Sequence, residues 1–380
     1  MKPNVILINQ KEESMKNLKV MISGGGTGGH IFPAISIANA IKTAYPDTEF
    51  LFVGALGRME MEKVPAAGYP ILGLPVRGFD RKNMVRNIGV MKDLALSLAK
   101  AYKAIKAFKP DVVVGVGGYA SGPTLRMASM LGIPTVIQEQ NSYAGVTNKL
   151  LASKASAICV AYDQMERYFP KEKIIQTGNP VRQDLVAPAS MRKEAFRHFN
   201  LDPSKKTILV VGGSLGARTI NESIEKGLGH FDRNNIQVIW QTGKSYAETK
   251  KIVSDFICRT PFISRMDLAY LAADLVISRA GASSISELCI LEKPVILVPS
   301  PNVAEDHQTK NALALSEKDA AVFVKDADAH TSLVDTAIRL VNNPAKLQTL
   351  KENISRLAYH KSADKIAQIV VEAAQKRINR

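Results

Sequence analysis

Two doubly wound, Rossmann-like α/β domains facing each other across a cleft are what this sequence predicts, and three observations carry the prediction. The chain has 380 residues, which suits two domains at roughly 100–200 residues each. Short β-branched runs alternate with helical patterns over most of its length, as strand–helix–strand units of a parallel sheet require. A strand that runs into glycines and then a helix occurs three times, as LKVMISGGGTGGH (Leu18–His30), DVVVGVGGYASG (Asp111–Gly122) and TILVVGGSLGAR (Thr207–Arg218).

In chain order, Leu18–Ser23, Glu49–Gly54, Asp111–Val116 and Pro134–Gln138 read as strands of the first half. Thr207–Val211, Gln237–Gln241, Leu275–Ser278 and Pro294–Pro299 read as strands of the second. Each is too short for a helix and apolar on both faces, so each is expected to be buried in a parallel sheet. Helical patterns between them supply right-handed crossovers. TGNPVRQD (Thr177–Asp184) punctuates the chain between domains. This sets expected boundaries at 15–180 and 181–361, with residues 1–14 a loose extension ahead of a cleaner start at Met15. The last helical pattern, Ser362–Lys376, places Ile366, Ile369, Val370 and Ala373 at helical spacing, so it packs on one of the two domains.

Composition narrows the class. Apolar residues make up 46% and charged residues 22%, the range of a folded globular chain rather than a disordered one. Lys+Arg 50 against Asp+Glu 35 leaves +15, a surface that attracts phosphates or acidic lipid. Cys159, Cys258 and Cys289 are widely spaced and form neither a disulfide framework nor a metal motif, which fits a reducing cytoplasm. No segment is apolar for the roughly 18 residues a membrane-spanning helix needs, and Val5–Ile8 is too short for a signal-peptide core.

Glycines after a strand let backbone N–H groups approach a phosphate, and the following helix start adds a favourable dipole. Gly24, Gly25, Gly26, Thr27, Gly28 and Gly29 fit that need, as do Gly115, Gly117 and Gly118, and Gly212, Gly213, Ser214 and Gly216. One such loop is as readily a plain tight turn; three in one basic chain argue for anion binding. A dinucleotide fingerprint is weaker, because the second strand ends in Gly54 and Ala55 where a ribose-binding acid belongs. His30 closes the first loop at a helix start, where the dipole disfavours protonation and leaves an imidazole able to accept a proton; a packing or capping histidine is the plainer alternative. The other five histidines share no ligand spacing, and no metal site is expected.

In SRAGASSISELCILEKPVILVP (Ser278–Pro299) a helix is expected to start near Ser283. Glu287 is then either the carboxylate of a capping box with Ser284 or a ligand of a ribose diol. AEDHQTKNA (304–312) is a polar loop after a strand end, where open α/β sheets hold ligands. Between Arg77 and Lys109, nine basic residues face two acidic ones. There Ile88, Met91, Ala95, Leu98, Tyr102 and Ile105 form one stripe, with Lys92, Lys100, Lys103 and Lys106 outside it. A core-facing helix with a solvated basic face explains this; so does a basic, partly apolar surface resting on anionic lipid. One tryptophan, Trp240, and no reader motif argue against nucleic acid.

Taken together, GGGTGGHIFPA, GVGGYASGP, QEQNSYAGVTNK, TGNPVR, GGSLGAR and AGASSISEL make the chain, from about Leu18 to near its end, resemble the MurG family. These are the UDP-N-acetylglucosamine:undecaprenyl-diphospho-N-acetylmuramyl-(pentapeptide) N-acetylglucosaminyltransferases of bacterial cell-wall synthesis. The resemblance implies a two-domain GT-B fold in which helix 362–380 returns to the first domain. That domain takes the acceptor and faces the membrane; the second binds UDP-GlcNAc. It implies that Thr27, Gly28 and Gly29 meet the donor sugar or diphosphate and that Asn141 contacts the sugar. Arg182 and Ser214 bind the diphosphate, Ile263 and the run Ala282, Ser283, Ser284, Ile285, Ser286 and Glu287 the uridine, and Gln308 the nucleotide or sugar. His30 is the implied base. Gly117, Gly118, Tyr119, Ser121, Gly122 and Glu139 are implied for the acceptor.

Two features depart from the family pattern. Gln138 stands where some members carry a histidine, and the basic helix holds lysine and alanine rather than tryptophan. The implied reaction is an inverting transfer to the 4-hydroxyl of the lipid-linked muramyl-pentapeptide, with no cofactor and no metal. It places the protein peripherally on the cytoplasmic face of the cell membrane, against an anionic surface, with partners among the cell-wall synthesis and division proteins. Rival readings are a GT-B transferase with another lipid-linked acceptor, a UDP-GlcNAc epimerase, and a non-enzymatic membrane scaffold.

Overall fold

The computed structural model describes residues 17–78, 86–181, 185–213, 215–244, 246, 256–303 and 306–378. The chain divides into two compact units, Met1–Val181 with Lys361–Arg380, and Arg182–His360, a division that falls inside the Thr177–Asp184 segment. Arg182, Ser214 and residues 1–14 lie outside the described residues.

In the first unit the strands are β1 (Lys19–Ser23), β2 (Glu49–Ala55), β3 (Ile71–Leu74), β4 (Val112–Gly115), β5 (Thr135–Glu139), β6 (Ala157–Val160) and β7 (Ile174–Gln176). They form one parallel sheet in the order β3-β2-β1-β4-β5-β6-β7. Its helices are α1 (Gly28–Ala44), α2 (Glu60–Ala66), α3 (Arg86–Phe108), α4 (Ser121–Met130) and α5 (Val146–Leu151). Residues alternate across the sheet, as a strand's period of two requires. Val20 and Ile22 pack with Ile37 and Ile41 of α1, while Met21 faces Ile105 of α3 and Leu125 of α4.

The second unit has β8 (Lys206–Val211), β9 (Ile236–Gln241), β10 (Ile257–Thr260), β11 (Leu275–Ser278), β12 (Val295–Leu297) and β13 (Val322–Phe323), parallel in the order β10-β9-β8-β11-β12-β13. Around it lie α6 (Arg192–His198), α7 (Arg218–Arg233), α8 (Met266–Ala272), α9 (Ala282–Ile290), α10 (His307–Ser316), α11 (Ala329–Val341) and α12 (Pro344–Ser355). Its core joins Trp240 and Phe231 to Leu333 and Leu350.

The terminal helix α13 (Ser362–Ile378) belongs to the first unit. Ile366, Ala367, Val370, Val371 and Ala374 enter the core beside α1. Burying side chains of the size of Ile366 or Val370 contributes about 1.5–3 kcal/mol each. Lys365 Nζ donates to Gln176 O at 2.7 Å and Arg377 Nη1 to Pro110 O at 2.6 Å, pinning both ends.

All eight expected strands are present, but β3, β6, β7, β10 and β13 were not among them. Four of these are sheet edges, short and partly exposed, so their sequences lack the two-sided apolar pattern. The inner one, AICV of β6, lacks a β-branched run although it is buried. The face of α3 also differs from expectation. Val90, Ser97, Ala101 and Ile105 are buried, whereas Ala95 is exposed, Met91 is 55% exposed and Tyr102 44%. Helix α3 packs closely on α4, and its buried face includes the small residues Ser97 and Ala101, which let two helices approach. Ile88 has its side chain outside the described set.

Candidate active site

In both sheets the strand order reverses once, between β1 and β4 and between β8 and β11. Chains leaving neighbouring strands at such a point diverge to opposite faces, and the crevice left at the carboxyl ends is where open α/β sheets bind ligands. Each glycine loop lies at one of these two points, so topology by itself puts three glycine loops at ligand positions.

In the first unit the two loops touch. Gly25 N–H donates to Gly117 O at 3.3 Å. A Cβ on Gly118 would collide with the Gly25 carbonyl, and this residue also has a φ of +87°, so glycine is needed there twice over. Ser121 is buried. Its hydroxyl lies 2.7 Å from Ser23 O and 3.0 Å from Gly117 O, which joins the ends of β1 and β4. Helix α1 begins after Thr27 with no side-chain cap. Gly28 and Gly29 therefore stand among the first-turn N–H groups that have no helical partner. His30 Nδ1 lies 3.0 Å from Gly25 O and 3.3 Å from Thr27 Oγ1. Tyr119 is exposed and packs over Gly78, while Gly122 lies in the first turn of α4.

The loop after β5 is built around one buried carboxylate. Glu139 Oε1 accepts from Asn141 N–H at 3.1 Å, and Oε2 accepts from Gly145 N–H at 3.0 Å and Asn148 Nδ2 at 2.9 Å. Glu139 thus shapes the loop that carries Asn141 from inside it. Gln138 is buried and donates to Asn179 Oδ1 at 2.9 Å, and Asn179 Nδ2 donates to Gln140 O at 3.0 Å. The residue that departs from the family pattern is a member of an internal amide network.

In the second unit, Gln241 at the end of β9 joins two expected parts of the site. Its Nε2 donates to Gly213 O at 3.1 Å, and its Oε1 accepts from the N–H of buried Ile263 at 2.9 Å. Helix α9 starts at Ala282 with Gly281 as its N-cap and no side-chain cap. The expected start near Ser283 agrees with this to one residue, but the Ser284–Glu287 capping box is corrected: both residues lie within the helix, whose first-turn N–H groups Gly281 leaves unbonded. Ala282 and Ile285 face the core, Ser286 Oγ donates back to Ala282 O at 3.0 Å, and Ser283 Oγ is buried with no partner among the described residues. Arg279 Nη1 donates to Val298 O and Pro299 O, both at 3.0 Å, and pairs with Asp326. Gln308 Oε1 accepts from Ser300 N–H at 2.9 Å, holding the turn after β12.

Residues 20–160 match the glycosyltransferase family 28 N-terminal domain, and residues 207–369 match the family's C-terminal domain. The chain belongs to glycosyltransferase family 28. It is 63% identical over 367 residues to the UDP-N-acetylglucosamine–N-acetylmuramyl-(pentapeptide) pyrophosphoryl-undecaprenol N-acetylglucosamine transferase of Phocaeicola vulgatus, covering 95% of this chain and 98% of that one. The protein of the same name from Parabacteroides distasonis is 62% identical, covering 96% of this chain and all of that one. MurG of Acinetobacter baumannii has a solved structure that matches with a TM-score of 0.73 at 26% identity, covering 93% of this chain and 99% of that chain.

For a family 28 chain the tertiary structure adds residues that sequence reasoning passed over. Glu60, Gln241 and Arg279 hold the loops that carry the expected residues. Glu60 and Gln241 lie away from the glycine motifs and Arg279 directly precedes one, and only the hydrogen bonds reveal their roles. An acid six residues after the strand-end Gly54 was the one available signal for Glu60.

Proposed function

We propose that the protein transfers N-acetylglucosamine from UDP-N-acetylglucosamine to the 4-hydroxyl of undecaprenyl-diphospho-N-acetylmuramyl-pentapeptide, with inversion at the anomeric carbon. The observation that carries this is 63% identity, across 95% of the chain, to a relative named for that transfer. A bond forms between the 4-oxygen and the anomeric carbon while the bond from that carbon to the diphosphate breaks. The electron pair leaves on UDP, and the hydroxyl proton passes to His30.

In this reading the first unit supplies His30 and the paired loops around Thr27, Gly28, Gly29, Gly117 and Gly118. Their N–H groups and the start of α1 stabilise diphosphate charge. Asn141 contacts the sugar from the loop that Glu139 shapes, and Tyr119 and Gly122 flank the acceptor path. Ser121 acts on the backbone from beneath. The second unit binds the donor through Ile263, Ala282–Glu287 and Gln308. The open first turn of α9 turns its N–H groups to the nucleotide, and Arg182 and Ser214 complete the diphosphate site.

The same reading puts α3 against an anionic membrane surface, on the side where UDP-sugars are made. Among the described residues no helix is long and apolar enough to cross a membrane. The outer face of α3 instead mixes exposed Met91, Leu96 and Tyr102 with Lys92, Lys100, Lys103 and Lys106. Exposed Met130 and Leu150 stand near Arg126 and Lys154 on the neighbouring α4–α5 surface. Apolar side chains that insert, ringed by lysines that meet lipid phosphates, are the pattern of an interfacial helix.

The test is UDP release from UDP-GlcNAc with and without the lipid-linked muramyl-pentapeptide, with the product mass recorded. Acceptor-dependent release with one added N-acetylhexosamine is expected. Release without acceptor would replace this reading with hydrolysis or epimerisation.

A further inference from the structure

Glu60 opens α2 and is wholly buried. Its two oxygens accept from two backbone donors: Oε1 from Ala55 N–H at 2.9 Å and Oε2 from Gly26 N–H at 2.9 Å. Both oxygens thus act as acceptors, each taking one backbone N–H. The side chain fills the place that a Cβ on Gly25 would take.

Gly26 N–H and Gly25 C=O are the two ends of a single peptide group. One end meets Glu60, and the other meets His30 Nδ1 at 3.0 Å. A carbonyl oxygen only accepts, so Nδ1 must donate, and the neutral ring then carries its lone pair on Nε2. That nitrogen points toward Gly117 in the second glycine loop. A peptide between two glycines turns over easily, because neither neighbour has a Cβ to resist. If it turned over, His30 Nδ1 would meet an N–H, and the ring would have to take the opposite tautomer. The carboxylate prevents this by holding the N–H end, and a charge-assisted bond at one end of a peptide strengthens the acceptor at the other.

We propose that Glu60 sets the tautomer of His30 through the Gly25–Gly26 peptide, which makes it a positioning residue for proton transfer. Its catalytic consequence rests on the reading of His30 as the base. The tautomer itself does not. Sequence reasoning had sought an acid at the end of the second strand to hold a ribose. The acid is present a few residues later and is turned inward, onto the loop instead of a ligand.

The experiment is long-range ¹H–¹⁵N correlation of the histidine rings in the full chain, with the His30 signals identified by their loss in His30→Gln. Wild type should show a protonated Nδ1 and an unprotonated Nε2. Glu60→Gln keeps the size but sets an NH2 against one of the two N–H donors. It should give mixed tautomers and a kcat lower by about tenfold or more, since a base in the wrong tautomer forfeits part of its 10²–10⁴-fold contribution. KM for UDP-GlcNAc should stay within about twofold. An unchanged tautomer in Glu60→Gln, whatever its turnover, would overturn the proposal. A protonated Nε2 in the wild type would do so without any variant, even if Glu60→Gln failed to fold. Wild-type turnover of His30→Ala would instead remove the base assignment and leave the tautomer coupling to be decided by the spectra alone.

Discussion

Nε2 of His30 lies 2.9 Å from the point where a Cβ of Gly117 would stand. The imidazole of the first glycine loop therefore lies against the backbone of the second, at the reversal point of the sheet. In the proposed reading this ring, held at the junction of two glycine loops, takes the hydroxyl proton beside a diphosphate. His30→Ala should lower turnover by about 100-fold or more while UDP-GlcNAc affinity stays near wild type. Steady-state kinetics with titration calorimetry checks both halves, and near-normal turnover would move the base elsewhere.

With Gly281 as the N-cap of α9, Glu287 has no capping duty. In the proposed reading its carboxylate meets the ribose diol, and a hydrogen bond to a charged group is worth about 1.5–3 kcal/mol. Glu287→Ala should weaken UDP binding by about tenfold or more. Undiminished affinity in calorimetry would reject the ribose role.

The exposed lysines of α3 lie among apolar side chains that also face outward. Each basic residue near an anionic bilayer contributes about 1 kcal/mol. Replacing Lys92, Lys100, Lys103 and Lys106 together with glutamine should lower binding to phosphatidylglycerol vesicles by at least about tenfold, and far less at high salt. Turnover of a short-chain soluble acceptor should persist. Equal sedimentation of variant and wild type with vesicles would place the membrane contact on another surface.

Lys293 offers a stability test in the second unit. Burial pushes its ammonium down to about 8, helped by the charge of Arg192 and opposed by Asp274. A lysine with a folded pKa below its unfolded value costs stability where both states hold the proton. That cost applies in full below pH 8 and fades as pH rises toward the ordinary 10.5. Lys293→Met should remove the gain in stability between these pH values and raise the neutral-pH melting midpoint by about 2–4 °C. A midpoint that falls at pH 7 would mean that the bond from Nζ to Ala273 O, at 3.0 Å, outweighs the desolvation.

The central strands were legible because their residues are apolar on both faces, which only a buried parallel strand requires. The edge strands IIQ and ICRT are only half-buried along their length and carry no such pattern. For α3, helical periodicity gave a stripe but not its angle. The buried face includes Ser97 and Ala101, whose small side chains suit close packing on α4.

The same division runs through the site. Glycine loops, His30 and the run Ala282–Glu287 are contiguous in sequence, because a strand, a turn and a helix start suffice to make an anion site. The sequence by itself therefore determined the α/β architecture, the positions of the glycine loops and the family. What holds those loops is not contiguous. Glu60 reaches back to Gly26, Gln241 joins Gly213 to Ile263, and Ser121 ties Ser23 to Gly117. Tertiary structure alone decided these partners, since a buried polar group must find its hydrogen bonds wherever the fold brings donors and acceptors, and sequence distance does not limit that search.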